Sequence, residues 1–65
     1  MEELTIDLED KVARYYDPNG ISEEKQSFAS KYVVSVIEER VGYPVTVITE
    51  FNEGNGYLQV YFEAT

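Results

Sequence analysis

The sequence predicts a small α+β domain, in which an antiparallel helix pair packs on one side of a C-terminal β-hairpin in the order α-α-β-β. A short N-terminal strand is a variant of its first element. Three observations lead there. Residues 22–42 hold the longest run with one helical period. Residues 45–63 switch to a period of two around a glycine-rich loop. Residues 1–16 set Leu4, Leu8, Val12 and Tyr15 or Tyr16 on one helical stripe.

Two readings compete for residues 1–16. In the first, a helix covers most of the segment, with Glu2, Glu3, Asp7, Glu9 and Asp10 crowding its positive end and Lys11 and Arg14 following. In the second, Leu4, Ile6 and Leu8 alternate as in a strand, supported by β-branched Thr5 and Ile6, and Asp7 caps a shorter helix over 8–16. Asp17-Pro18-Asn19-Gly20 then reads as a turn. Pro18 presets its second position, Asp17 bonds the backbone ahead, and Gly20 suits the fourth. A connection this short packs two helices as an antiparallel hairpin.

The segment SEEKQSFASKYVVSVIEERVG carries the central helix. Phe28, Ala29, Tyr32, Val33, Val36 and Ile37 recur at three-and-four spacing and form its apolar side. The Ser22 hydroxyl can accept a bond from an orphaned first-turn N–H. Glu23 and Glu24 suit the positive end of the macrodipole and Arg40 the negative end. Gly42 can take the left-handed conformation that closes a helix.

After Pro44, a residue tolerated at a strand start, Val45, Val47 and Phe51 fall on one face and Thr46, Ile48 and Glu50 on the other. Residues 52–56 form a five-residue hairpin loop with two glycines. A second strand over 57–63 puts Leu58, Val60 and Phe62 on one side and Tyr57, Gln59 and Tyr61 on the other. The expected sheet core is Val45, Val47, Phe51, Leu58, Val60 and Phe62.

Sixty-five residues make a single domain that buries only about 60% of its unfolded surface. With no cysteine there is no disulfide, and with no histidine or cysteine the usual zinc sites and the Ser-His-Asp and Cys-His catalytic pairings are excluded. Good packing or self-association must supply the stability, which makes a homodimer an open alternative. No cofactor is expected, and no catalytic residue is assigned.

The net charge is −8, from 13 acidic and 5 basic residues. The cations Lys11, Arg14, Lys25, Lys31 and Arg40 are scattered among acids, so direct nucleic-acid binding and an anionic membrane surface are not expected. No apolar run approaches the roughly 20 residues that cross a bilayer. The start, MEELTIDLED, has acids where an export signal carries lysine or arginine. A cytoplasmic location is the expectation.

Two surfaces are candidate interaction sites. One is the acidic front, Glu2, Glu3, Asp7, Glu9 and Asp10, which could imitate phosphate charge and occupy a basic groove of a nucleic-acid-binding protein. The bland alternative is a solvated, dipole-matched helix end that aids solubility. The other is the outer face of the hairpin, Ile48, Tyr57 and Tyr61, because tyrosine joins a large apolar area to a polar tip. Its bland alternative is a face covered by the first helix or a terminus. Residues 15–26 do not match a calcium loop, since with Gly20 sixth, Tyr15 falls first and Gln26 twelfth, where carboxylates are required.

The stretch EERVGYPVTV…NGYLQVYFEA, under half the chain, is similar to helix–hairpin dimerisation modules such as the C-terminal domain of ParB-type partition proteins. That resemblance implies sheet-mediated dimerisation. It departs from those modules in charge, since they are basic and this chain is acidic.

The functional expectation is therefore a non-enzymatic regulator or inhibitor that binds another protein with a basic surface. One alternative is an assembly module that homodimerises through the hairpin. A second is a small-ligand or metal-dependent activity.

Overall fold

The structure, a computed structural model, describes residues 2–65. Its elements run β1 (Glu3–Asp7), β2 (Val12–Tyr16), α1 (Glu23–Val41), β3 (Val45–Asn52) and β4 (Tyr57–Ala64). The strands form one sheet in the order β1-β2-β4-β3, each neighbouring pair antiparallel. α1 packs on one face of this sheet.

The expected α-α-β-β arrangement is thus corrected to a single helix on a four-stranded sheet. There is no first helix, because residues 3–16 form a β-hairpin instead. The stripe of Leu4, Leu8 and Val12 is a coincidence of spacing. Leu4 packs against the core beneath α1, Leu8 is 47% exposed in the turn, and Val12 lies on the opposite sheet face. Period two wins because β4 has a second edge to satisfy. Ala13 pairs there with Val60 and Tyr15 with Leu58, and all four side chains are buried.

The turn between β1 and β2 has its own chemistry. The Asp7 carboxylate accepts the N–H groups of Glu9 and Asp10 at 3.0 and 2.9 Å, through one oxygen. Lys11 closes the turn at φ 58°, and its carbonyl accepts the Phe62 N–H at 3.0 Å. Asp7 therefore heads a turn and not a helix.

Residues 17–20 do form a turn, with the Gly20 N–H on the Asp17 carbonyl at 3.0 Å and the Asn19 N–H on the Asp17 carboxylate at 2.9 Å. They join a strand to a helix, however, and not two helices. α1 begins where its cap predicts, with the Lys25 N–H on the Ser22 hydroxyl at 3.2 Å. It ends at Gly42, which is left-handed at φ 81° and bonds the Glu38 carbonyl at 2.8 Å.

The buried side of α1 is Ala29, Ser30, Val33 and Ile37. Phe28 and Tyr32, expected inside, are 72% and 53% exposed. With no second helix to cover their flank, they stay outside while the small residues Ala29 and Ser30 are buried against the sheet. Tyr32 still packs the edge of Tyr15, with ring centroids 5.9 Å apart.

A second correction concerns β3. A bulge between Val47 and Thr49 inserts Ile48, so Thr49 and not Ile48 pairs with Tyr61. Parity flips beyond that point. Phe51, expected in the core, is 58% exposed, and Glu50 and Asn52 turn toward α1 in its place. Glu50 accepts bonds there from Gln26 Nε2 at 2.9 Å and Ser30 Oγ at 2.7 Å, and Asn52 Nδ2 reaches the Ile21 carbonyl at 2.8 Å. The rest of the expected sheet core, Val45, Leu58, Val60 and Phe62, is buried, with Val47 half-buried beside it.

Candidate protein-docking face

Because β1 to β4 form a single layer and α1 covers one side, the other side of the sheet carries no second layer among the described residues. Its side chains stand in three cross-strand rows fixed by the register, with Thr46 and Glu63 paired beyond them. Glu3, Tyr16 and Tyr57 make one row. Thr5, Arg14, Gln59 and Phe51 make the next. Asp7, Val12, Tyr61 and Thr49 make the third.

A hydrogen-bonded network crosses the middle of this face. Arg14 donates to both carboxylate oxygens of Glu53, through Nε and Nη2, at 3.2 Å each. Its guanidinium lies 4.1 Å from the centroid of the Tyr57 ring. Gln59 Nε2 donates to Glu53 at 3.0 Å, and the Tyr61 hydroxyl donates to Gln59 Oε1 at 2.8 Å. The bonds from Gln59 and then Arg14 hold the Glu53 carboxyl below its ordinary range. Tyr16 stacks at a tilt on Tyr57, with centroids 4.6 Å apart.

Beside this network lies a shallow depression of about 400 Å³, lined by Thr5, Asp7, Val12, Arg14, Gln59 and Tyr61. On the other side of the sheet, a groove of about 330 Å³ runs between α1 and β3 over Ser30, Val34, Val47 and Glu50. Glu50 in this groove is engaged at both oxygens, by Gln26 and Ser30, and Glu38, which also lines it, accepts the Val45 N–H at 3.0 Å through one oxygen. Among the described residues, no group of three or more His, Cys, Asp or Glu could hold a metal ion, and no helix is long and apolar enough to cross a membrane.

The acids singled out in the sequence follow β1 and its turn. Glu3 and Asp7 stand on the outer face of this edge strand, and Glu9 and Asp10 sit in the turn. Glu2 accepts the Tyr15 hydroxyl at 3.0 Å and so leans toward the side covered by α1. The five do not sit at a helix end, and a macrodipole plays no part in placing them. Of the hairpin residues, Tyr57 and Tyr61 lie on the open face, and Ile48 stands at the bulge, 59% exposed.

Val12, Arg14, Tyr16, Phe51 and Glu53 belong to the same face and were missed. The signal for three of them was the alternation Val12-Arg14-Tyr16, hidden while that stretch was read with a helical period. Charge is divided by element. Lys25, Lys31 and Arg40 are all on α1, while the strands' outer face bears Arg14, already paired with Glu53, against Glu3, Asp7 and Glu63. Compared with known protein families, curated proteins and solved structures, the chain matches none, so the reading of this face stands on its own residues.

Proposed function

We propose that this protein is a non-enzymatic regulator that docks on a basic surface of another protein through the open face of its sheet and the acidic β1 edge. The observation that carries this reading is an aromatic face that, among the described residues, is uncovered and carries one cation, Arg14, already paired with Glu53. A large apolar area with polar tips gives contact, and the acids around it supply attraction and orientation. The charge of −8 favours a cationic target and opposes nucleic acid itself. A groove that normally holds nucleic acid is the fitting kind of surface, and the cytoplasm is the compartment proposed for the encounter.

The test is capture on the immobilised protein, followed by three demands on whatever is retained. Binding should be strong at about 50 mM salt and largely lost at about 500 mM, since exposed charges are screened across that range. Duplex nucleic acid should compete. Replacing Val12 with Lys, which puts a cation in the middle of the open face, should release the partner. A retained protein indifferent to salt would defeat the charge argument.

A second reading is assembly with another copy through β3. This edge strand is eight residues long with one charged residue, Glu50, and exposes Ile48 and Phe51. β1, the opposite edge, is five residues with Glu3 and Asp7 on it, the kind of charge that discourages edge pairing. Sedimentation decides: a monomer at high concentration removes this reading.

A further inference from the structure

We propose that the depression on the open face receives one arginine side chain of the partner, an inference that rests on the docking reading above. Its floor is Val12 and its walls are Asp7 and Tyr61, three neighbours in one cross-strand row that Thr49 completes. Neighbouring strands lie about 4.8 Å apart, so Asp7 and Tyr61 stand roughly 10 Å from each other with the shorter Val12 between them. A guanidinium plane stacked on a ring and reaching a carboxylate fills a gap of that width.

Both walls are held. The Tyr61 hydroxyl is bonded to Gln59 Oε1, which limits how the ring can swing. One Asp7 oxygen accepts the Glu9 and Asp10 N–H groups, and the other makes no hydrogen bond among the described residues. The single cation in the lining, Arg14, is committed to Glu53 and to the Tyr57 ring. The protein thereby builds this arrangement once from its own residues: an arginine laid on a tyrosine and tied to a carboxylate. Asp7 and Tyr61 offer the same two groups to a visitor. Arginine suits the site better than lysine because its planar, weakly hydrated head stacks on a ring while it bonds an acid.

The test is an amide-resolved NMR titration with a single-arginine peptide, acetyl-Gly-Arg-Gly-amide, beside its citrulline counterpart, which keeps the shape and loses the charge. Millimolar affinity is enough for this readout. Saturating shifts confined to residues 5–14 and 59–61 with the arginine peptide, and far smaller ones with citrulline, are expected. Asp7→Asn and Tyr61→Ala should each weaken binding by about threefold or more, while Tyr61→Phe, which keeps the ring, should largely retain it. Shifts spread over the acids of α1 as well, or no saturation at this site, would overturn the proposal. The two readings fail separately: a salt-sensitive partner that binds without engaging Asp7 or Tyr61 sinks only the arginine site, and a partner indifferent to salt sinks the docking reading.

Discussion

The Asp17 N–H bonds the Gly56 carbonyl at 2.8 Å, and the two residues approach so closely that a β-carbon on Gly56 would lie 2.3 Å from the Asp17 carbonyl oxygen. This clasp ties the turn before α1 to the loop between β3 and β4. Asp17 is 1% exposed, and its carboxylate is bonded by Lys25 Nζ and the Asn19 N–H.

Gly56→Ala should therefore destabilise the fold by about 2–4 kcal/mol, from a positive φ that a side chain disfavours plus a clash with backbone. Gly54 has a similar φ, 90°, but open space around it, so Gly54→Ala should cost only about 1 kcal/mol. Urea denaturation of the two variants checks the difference. Equal losses would mean that the close approach to Asp17 is absent.

Acid should weaken the fold through Asp17 and Glu53. Lys25 and then the Asn19 N–H hold the Asp17 carboxyl below its ordinary value of 3.8, and Gln59 and Arg14 hold Glu53 below 4.5. A carboxyl lowered in the folded state contributes stability that is present above its unfolded value. That stability is lost as pH falls through the lower folded value. Stability should be flat above about pH 5 and fall below pH 4, and Asp17→Asn should flatten part of that fall. An unchanged acid slope in this variant would remove Asp17 from the account.

Alkali acts through Tyr15. Burial first, and then its bond to Glu2, push its phenol up to about 12 from the ordinary 10.0. The raised value means that Tyr15 contributes full stability below pH 10, which is lost as pH rises from 10 toward 12. In an absorbance titration, one of the six tyrosines should ionise last, and Tyr15→Phe should abolish that late phase. If all six ionise together, Tyr15 is not enclosed.

The bulge sets two phenylalanines of the same hairpin apart. Phe62 is 4% exposed and Phe51 58%. Phe62→Ala should cost about 3–5 kcal/mol, whereas Phe51→Ala should stay within about 0.5 kcal/mol. Similar losses at both positions would place Phe51 in the core and the bulge elsewhere.

Features coded by near neighbours were legible before the structure. Ser22, the acids after it, Arg40 and Gly42 bound the helix through contacts within a turn or two of the chain, and the loop over 52–56 joins strands adjacent in sequence. Tyr57 and Tyr61 were placed on the side of the hairpin away from the long helix for the same reason, since alternation within one strand suffices. Residues 3–16 were ambiguous because their spacing admits two periods. The choice between them is made by β4, far along the chain, whose free edge accepts Ala13 and Tyr15. The one-residue slip at Ile48, invisible to any periodic pattern, exchanged Phe51 for Glu50 beneath α1. Helices are specified by what lies four residues away, and sheets by what the rest of the chain brings alongside. The open face exists because the first segment became strands, and among the described residues no other element covers it.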